Sequence, residues 1–266
     1  MEIRHTPRLF VESALAAGQA VTLGPEQSHY LRNVMRLAPG EVLRLFNGKD
    51  GEWKGAVVEF GGKGGKASCS IRIEECLRQQ TTDADLWLCA APIKKAHFEY
   101  MIEKATELGV HTIQPMLTAR TQIREVNSER LRGIAIEVAE QSERLSVPII
   151  HAALTLKELT AKWPQDRALI VCAELGDAKP IHAALLSPQL KAAKKCAILS
   201  GPEGGFAEEE FAALRKIGNA TFVRLGPRIL RADTAAISAL VCWQALHGDW
   251  NVAETSRDKT IDEISP

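Results

Sequence analysis

Short apolar runs that alternate with polar positions fill the first 78 residues. Stretches such as "RLFV", "AVTL", "EVLRLFN", "EWKGAVVEF" and "ASCSIRI" are separated by turn signals, among them Pro39-Gly40 and the glycine-rich residues 61–65. This alternation predicts strands joined by turns. One helical segment is predicted near residues 26–36. The pattern therefore predicts a small, mostly β, barrel-like domain over residues 1–78.

From residue 79 onward, strands alternate with amphipathic helices. The runs "LWLCAA", "HTIQPML", "VPIIHAA", "ALIVCAE", "KCAILS" and "TFVRLG" predict the strands of a buried sheet. Helices are predicted between and after them at 94–108, 127–145, 207–217 and 233–247. Because strands that alternate with helices form parallel sheets, we expect an α/β domain with an open, largely parallel sheet over residues 79–248. The polar residues 249–266 are predicted to form a disordered tail.

Composition limits the classes of function. The chain has 266 residues, of which 45% are hydrophobic and 25% charged, so it is long enough for two modest domains. Lys and Arg together number 33, as do Asp and Glu, so any binding of nucleic acid must depend on local patches of charge. No run approaches the roughly 20 apolar residues of a membrane span, and Met1–Arg8 is too polar for a secretion signal. We therefore expect a cytoplasmic protein that does not bind a membrane.

The six cysteines and seven histidines show no spacing typical of a disulfide framework or a metal site. No Cys-x-x-Cys pair occurs, and several cysteines lie within apolar runs. We expect buried, reduced thiols and no structural metal.

The helical segment "HYLRNVMR" carries a basic stripe. His29, Arg32 and Arg36 are spaced to share one helical face. The apolar residues of the segment are predicted to face the other way: Leu31, Val34 and Met35. Arg4 and Arg8, in the polar start of the chain, could reach the same surface. The stripe is a candidate RNA-binding surface, although a solvated helix face would have the same pattern.

The stretch "LSGPEGGFAEEEF", residues 199–211, has the layout of a ligand cradle between a strand and a helix. Glu203 lies within the glycine-rich loop, where its carboxylate would repel a phosphate. A second loop, "LGPRILRADTA", follows another predicted strand and carries an apolar wall that suits an adenine. Ligands of open α/β sheets bind at the carboxyl ends of the strands. S-adenosylmethionine fits both loops because it has an adenosine and a cationic sulfonium but no phosphate.

The start of the last predicted helix carries both an arginine and an aspartate. Asp233 is predicted to be the N-cap of this helix. Arg231 precedes it, where the positive end of the helix dipole disfavours a cation. An arginine in such a place is expected to have an anionic partner or a role in function.

Polar residues interrupt the apolar stripe of the helix predicted at 127–145. Gln141 and Ser142 occupy positions that would be apolar if the helix only packed on the sheet. This indicates a cleft or a subunit interface, or a helix that leaves the core at its end. Glu140 and Arg144 are spaced as a surface ion pair, which is an equally good interpretation of those two residues.

Five motifs in order along the chain resemble one family. They are "HYLRNVMRL", "EKATELGV", "AEQSER", "GPEGGF" and "LGPRILRADTA". Together they resemble the ribosomal RNA small subunit methyltransferase E family, which methylates N3 of a uridine in 16S rRNA. The resemblance implies a SPOUT fold, with an N-terminal PUA-like barrel that helps to hold RNA and a C-terminal α/β domain tied in a trefoil knot around S-adenosylmethionine. It also implies a homodimer with the pocket at its interface, which would account for Gln141 and Ser142.

Carried onto this sequence, the resemblance implies a set of cofactor-binding residues. These are Leu175, Gly176, Gly201, Pro202, Glu203, Gly205, Leu225, Gly226, Ile229, Leu230, Arg231, Thr234 and Ala235. Arg231 is the candidate for stabilising the uracil anion that forms as N3 loses its proton. Glu203, Glu140 or water could accept that proton. The family has glutamate where this chain has Asp233, which weakens any direct role for this carboxylate.

Two alternative functions are compatible with parts of the sequence. A SPOUT 2′-O-ribose RNA methyltransferase would share the cofactor loops, and mapping of the methylated atom separates it from an N3 enzyme. A non-catalytic RNA-binding protein would need only the barrel and would not bind S-adenosylmethionine.

Overall fold

The computed structural model describes residues 6–62, 64–173 and 177–251. The chain divides into two compact units. The first comprises Met1–Thr82 together with Ala139–Val147, and the second comprises Asp83–Val138 and Pro148–Pro266. The contribution of 139–147 to the first unit was not anticipated from the sequence.

The first unit is built on a five-stranded sheet in the order β1-β3-β4-β5-β2. Its strands are β1 Arg8–Phe10, β2 Ala20–Leu23, β3 Val42–Phe46, β4 Glu52–Gly61 and β5 Ser68–Arg78. β1 pairs with β3 in parallel and the other neighbours are antiparallel. Leu43, Leu45, Ile71 and Ile73 are buried in its core. Their spacing of two along each strand directs their side chains to one face of the sheet.

The helix of the first unit departs from the predicted one. Helix α1, Pro25–His29, continues as a π-helical turn over Tyr30–Val34, in which Met35 N donates to Tyr30 O at 3.0 Å. The wider turn changes which residues share a face. Leu31 is buried as predicted, but Val34 is 60% exposed and Met35 37% exposed. The prediction that these two residues face away from solvent was wrong, because it assumed an unbroken α-helical period.

The second unit is an α/β layer structure with an eight-stranded parallel sheet. The main path runs β11-β13-β10-β12-β6-β7-β8, and β9 pairs with β7. Its strands are β6 Asp85–Ala90, β7 Thr112–Leu117, β8 Ile149–Ile150, β9 Leu154–Thr155, β10 Ala168–Cys172, β11 Lys179–Pro180, β12 Lys195–Ser200 and β13 Ala220–Arg224. Its helices are α2 Lys95–Glu107, α3 Ser128–Gln141, α4 Leu156–Ala161, α5 Ile181–Leu185, α6 Pro188–Ala192, α7 Glu208–Arg215 and α8 Ala232–His247, and the end of α3 lies in the first unit. The predicted α/β class is confirmed.

The central strands of this sheet are apolar over most of their length because both of their faces are covered. In β10, Leu169, Ile170 and Val171 have no exposed surface. Ile170 packs in the core on the side of α8, whereas Leu169 and Val171 pack in a second core. All six cysteines are free thiols, and burial raises the pKa of the Cys196 thiol to about 12.

Helix α3 ends earlier than predicted. It stops at Gln141, and Glu143 then adopts a φ of 59°, a left-handed conformation that no α-helix can contain. Gln141 is exposed, which agrees with a helix that leaves the core at its end, and a subunit interface at this position stays a prediction. Ser142 is half-buried, and its Oγ is shielded from solvent without a hydrogen-bond partner among the described residues.

Asp249–Asn251 form a 3₁₀ turn after α8, and the rest of the predicted tail, residues 252–266, lies outside the described residues. None of the described helices is both long enough and apolar enough to cross a membrane. Within the described part of the chain, no group of three or more His, Cys, Asp or Glu side chains could hold a metal ion.

Candidate functional site

Three neighbouring strands of the second unit end at the same level of the sheet. Cys172, the last residue of β10, lies opposite Ser200 of β12 on one side and Val223 of β13 on the other. The two glycine-rich loops follow β12 and β13, so they leave the sheet at one edge. The predicted cofactor residues Leu175 and Gly176 follow β10, but they lie outside the described residues.

The loop after β12 is a compact turn. Gly205 N donates to Pro202 O at 2.8 Å, and Gly205 has a φ of 67°, which suits glycine. A β-carbon on Gly201 would lie 2.8 Å from the Phe206 ring, so the ring packs directly on bare backbone. Space in front of Gly205 is open, since a β-carbon there would meet nothing within 4 Å. Glu203 projects from this turn and is exposed.

The loop after β13 combines a glycine turn with apolar side chains. Gly226 has a φ of 103°. Leu225 packs against the core, Leu230 is half-buried, and Ile229 is 84% exposed. A cleft of about 540 Å³ borders this loop and is lined by Pro180, Ile181, His182, Arg224, Gly226 and Pro227. None of the lining residues belongs to the loop after β12, so this cleft does not join the two loops.

Helix α8 begins with Arg231 as its N-cap. Arg231 O accepts the first helical hydrogen bond, from Ala235 N at 2.8 Å, and its side chain makes no capping hydrogen bond. The Arg231 side chain is exposed and has no ion-pair partner within the described part of the chain. The prediction that Asp233 is the N-cap was wrong, because Asp233 is already the second residue of the helix.

Asp233 is buried and its two carboxylate oxygens have different donors. Thr234 N donates to Oδ1 at 2.8 Å, and His97 Nδ1 lies 2.9 Å from Oδ2. Burial alone would raise the pKa of Asp233, but the hydrogen bonds from Thr234 and His97 outweigh it and hold this pKa below its ordinary value. Asp233 is therefore an ionised carboxylate in the first turn of α8. Thr234 is exposed and Ala235 half-buried beside it.

The start of α8 is also tied to the neighbouring strands. Ser200 Oγ, at the end of β12, donates to Ala232 O at 3.1 Å. Ala91 N, just after β6, donates to Ser200 O at 3.0 Å. Because Ser200 is buried, these hydrogen bonds are shielded from water. The first turn of α8 is thus held against the edge of the sheet from which both loops emerge.

Two residues at this edge were not predicted from the sequence. His97 lies in α2 after β6, and Arg120 follows β7, where its Nη1 donates to Gly204 O at 2.7 Å. β6 is the neighbour of β12, and β7 is the next strand along. The sheet order alone reveals their closeness to the loops, and that order cannot be read from hydrophobic periodicity.

The basic stripe of the first unit is exposed in the structure. His29, Arg32 and Arg36 all face solvent, and the Arg32 guanidinium lies 5.8 Å from the centre of the Phe60 ring. The π-helical turn exposes three further residues beside them, namely Tyr30, Val34 and Met35. Arg4, predicted to reach this surface, lies outside the described residues.

Arg8, also predicted to contact RNA, has a structural role. It is 7% exposed, and its guanidinium binds the Glu52 carboxylate and the backbone carbonyls of Ala139 and Arg144. All three guanidinium nitrogens, Nε, Nη1 and Nη2, thus have partners within the first unit. The predicted contact of Arg8 with RNA is therefore not supported by its position in the structure.

The two glutamates considered as proton acceptors lie in different surroundings. Glu140 belongs to the first unit, where its Oε1 accepts a hydrogen bond from Phe10 N at 2.9 Å. Glu203 belongs to the second unit and is exposed on the loop after β12. The structure gives Glu140 a role in holding strand β1, which makes Glu203 the better candidate.

Comparison with known proteins identifies the family. The profile of the RNA methyltransferase domain matches residues 80–244, and that of the RNA methyltransferase PUA domain matches residues 23–68. The ribosomal RNA small subunit methyltransferase E of Rickettsia conorii is 36% identical over 234 residues, which are 88% of this chain and 93% of that protein. The chain belongs to the ribosomal RNA small subunit methyltransferase E family. The relative from Synechocystis is 33% identical over 90% of this chain and 77% of its own length.

Solved relatives in the family share the fold. The ribosomal RNA small subunit methyltransferase E of Neisseria gonorrhoeae, bound to S-adenosylmethionine, matches with a TM-score of 0.79 and 28% identity over 93% of this chain and all 100% of that one. A Legionella pneumophila protein in complex with S-adenosylmethionine matches with a TM-score of 0.79 and 29% identity over 92% of this chain and 99% of that one. The second unit is thus a SPOUT-type α/β domain, and a PUA-like domain precedes it.

Proposed function

We propose that this protein uses S-adenosylmethionine to methylate N3 of a specific uridine in the 16S rRNA of the small ribosomal subunit. The observation that carries the proposal is that the two glycine loops leave the sheet at one edge, where an exposed Arg231 begins α8. A methyl donor and an anion-stabilising group would then face the same space. The Neisseria relative, solved with S-adenosylmethionine, supports the choice of cofactor.

The residues of the two loops fit S-adenosylmethionine better than a phosphate ligand. Gly205 and Gly226 have positive φ, and a β-carbon on either would face open space, so a ligand can approach the backbone closely. Leu225, Ile229 and Leu230 offer apolar surface for an adenine. The loop after β12 contains neither lysine nor arginine, and its exposed Glu203 carboxylate would attract a sulfonium and repel a phosphate. Bound there, the cofactor would supply the methyl cation.

Residues of this chain would remove the N3 proton of uracil and stabilise the resulting anion. N3 of uracil carries a proton at neutral pH, so methylation requires that this proton leave and that the resulting anion be stabilised. Arg231 offers a cation with no competing partner within the described part of the chain. Glu203 is exposed on the neighbouring loop and could accept the N3 proton directly or through water.

The first unit would hold the RNA. His29, Arg32 and Arg36 supply cations for phosphates, and the exposed Tyr30 ring supplies a face on which a base can stack. Both features belong to one short segment, 29–36, so they can contact the same stretch of RNA. Proteins that bind single-stranded RNA combine cationic and aromatic groups in this way.

We further propose that the protein works as a cytoplasmic homodimer and that the trefoil knot of its family surrounds the cofactor. Helix α8 and the 3₁₀ turn after it leave large apolar side chains in solvent, with Leu246 37% and Trp250 57% exposed. Exposed apolar residues at the end of a largely apolar helix are typical of a subunit interface. Sedimentation analysis of the purified protein tests the dimer.

Arg231→Ala is the decisive test of the proposed chemistry. We expect turnover to fall by on the order of a hundredfold, the usual effect of losing one preorganised anion-stabilising group. Calorimetric titration should show that the affinity for S-adenosylmethionine changes much less than turnover, because the loop backbone forms most of the proposed cradle. The thermal unfolding temperature should also be unchanged, because the side chain is exposed. The substrate is the small subunit from a strain that lacks the enzyme.

Arg228→Ala is the matched control, since Arg228 is an exposed arginine of the same loop and should tolerate the change. Mapping of the methylated atom by mass spectrometry decides between N3 and the 2′-oxygen. Wild-type turnover in Arg231→Ala would remove the catalytic role. Failure of the wild-type chain to bind S-adenosylmethionine would favour a non-catalytic RNA-binding protein.

A further inference from the structure

The Asp233 carboxylate competes for the cation that the proposed reaction needs. Asp233 follows Arg231 by two residues in the first turn of α8 and is 7% exposed. A buried carboxylate binds whichever donors it can reach, and a guanidinium forms especially strong pairs with it. If the donors of Asp233 were removed, Arg231 would be the nearest cation along the chain. An Arg231 paired with Asp233 could not stabilise an anion on substrate.

His97 is one of the two donors that contact the Asp233 carboxylate in the structure. Its Nδ1 lies 2.9 Å from Oδ2 of Asp233, and Thr234 N donates a hydrogen bond to Oδ1 at 2.8 Å. An ionised carboxylate can only accept hydrogen bonds, so His97 Nδ1 must carry the proton in this contact. The interaction therefore does not require a charged imidazole. Each oxygen of Asp233 has a donor, and neither donor is Arg231.

We propose that His97 is a positioning residue that keeps Arg231 available to the substrate by holding the Asp233 carboxylate away from it. The inference rests on the proposed function, in which Arg231 stabilises the uracil anion. His97 is 42% exposed at its side chain, yet it reaches from the first turns of α2 to the first turn of α8. It acts through Asp233 and has no direct contact with the reacting atoms in this scheme.

Replacement of His97 with alanine should lower kcat for methyl transfer by about tenfold, less than the loss expected when Arg231 itself is removed. KM for the small subunit and the affinity for S-adenosylmethionine should not change. His97→Asn should recover most of the rate, because its amide nitrogen can donate from about the position of Nδ1. Lys95→Ala, which removes an exposed cation from the same turn of α2, is the control.

A double variant separates this role from simple packing between α2 and α8. In His97→Ala with Asp233→Asn, the competing carboxylate is gone while an oxygen remains for Thr234 N. The rate should therefore rise again towards that of the wild type. If the double variant stays as slow as His97→Ala, or if His97→Asn is equally slow, the proposal is overturned. A loss of thermal stability in His97→Ala without a change in kcat would also overturn it.

A crystal structure of His97→Ala tests the inference independently of activity. We expect the Arg231 guanidinium to bind Asp233 in that variant. An Arg231 that still faces solvent would refute the positioning role even if the variant is slow. Failure of the wild-type chain to bind S-adenosylmethionine or to methylate RNA would instead count against the proposed function alone. The crystal structure of His97→Ala would still show whether Arg231 pairs with Asp233.

Discussion

The Glu52 carboxylate of the first unit contacts three arginines, and we predict the effect of replacing it with glutamine. Glu52 is 2% exposed at the start of β4. Its Oε1 binds Arg8 Nε, its Oε2 accepts from Arg78 Nε at 2.8 Å, and Arg44 Nη1 lies 3.8 Å from the same oxygen. Glutamine has nearly the same volume, so the change removes the charge without opening a cavity. It would also turn an amide N–H towards a guanidinium.

We expect Glu52→Gln to destabilise the first unit by about 3 kcal/mol. Breaking a buried ion pair by removing one partner costs roughly 3–5 kcal/mol, because the other charge stays buried. Arg8 is buried and keeps its remaining acceptors, the carbonyls of Ala139 and Arg144. The Arg78 side chain is 27% exposed and can regain water, so the lower end of the range applies.

The measurement must distinguish the two units, because a chain of this kind need not unfold in one step. Hydrogen exchange of the amides in β3, β4 and β5 reports on the first unit, and exchange in β10 and β12 serves as an internal reference. Glu59→Gln is the matched control, since Glu59 lies on the same strand but is exposed. It should change stability by less than about 0.5 kcal/mol.

Acid provides a second test of the same carboxylate. Burial alone would raise the pKa of Glu52, but the hydrogen bonds and charges of Arg78 and Arg8 hold this pKa below its ordinary value. A carboxylate with a depressed folded-state pKa stabilises the fold above its unfolded pKa of about 4.3. This contribution disappears as the pH falls through the folded value. The difference in free energy of unfolding between the wild type and Glu52→Gln should therefore become smaller at acid pH. A difference below 1 kcal/mol at neutral pH would refute the reasoning.

Two further predictions concern the proposed ligand surfaces. Alanine at both Arg32 and Arg36 should weaken binding to the small subunit and lower the slope of log K against log salt by roughly 1.4, at about 0.7 per lost phosphate contact. Lys49→Ala is the control, because Lys49 is an exposed residue of the same unit, and it should not alter the slope. An unchanged slope in the double variant would mean that the basic stripe is only a solvated helix face. Gly205→Ala should lower the free energy of unfolding by about 1 kcal/mol, because Gly205 has a φ of 67°. Calorimetry should also show that S-adenosylmethionine binds about tenfold more weakly, because the new β-carbon enters the cradle. Gly218→Ala is the control because its β-carbon would face open space without a left-handed backbone, and normal affinity in Gly205→Ala would contradict the cradle.

Periodicity was sufficient for the α/β class because each central strand is long, apolar and followed by a helix. The two loops could likewise be assigned to strand ends, since Ser200 and Arg224 are the last residues of β12 and β13. The parallel arrangement then implied that both loops lie at one edge. These conclusions need only local patterns and a general rule of sheet geometry.

Features that depend on distant partners could not be predicted in this way. The π-helical turn at Tyr30–Val34 alters the helical period, and the residue types in "YLRNV" do not predict such a turn. The ends of helices are similarly sensitive to contacts, as the early stop of α3 at Gln141 shows. Ala139–Val147 contacts the first unit through residues distant in the sequence, among them Arg8, whose guanidinium binds two carbonyls of this segment, and Arg78, which donates to Glu143 O.

The contrast between Arg8 and Arg231 explains why site residues are harder to predict than folds. Both are arginines near the start of a regular element, and both were candidates for binding an anionic ligand. Arg8 is occupied because Glu52, 44 residues away in the sequence, lies against it. Arg231 has a carboxylate two residues away, yet that carboxylate is held by His97, 136 residues from it. Sequence proximity would have paired Arg231 with Asp233 and left Arg8 free, which is the reverse of what the folded chain does.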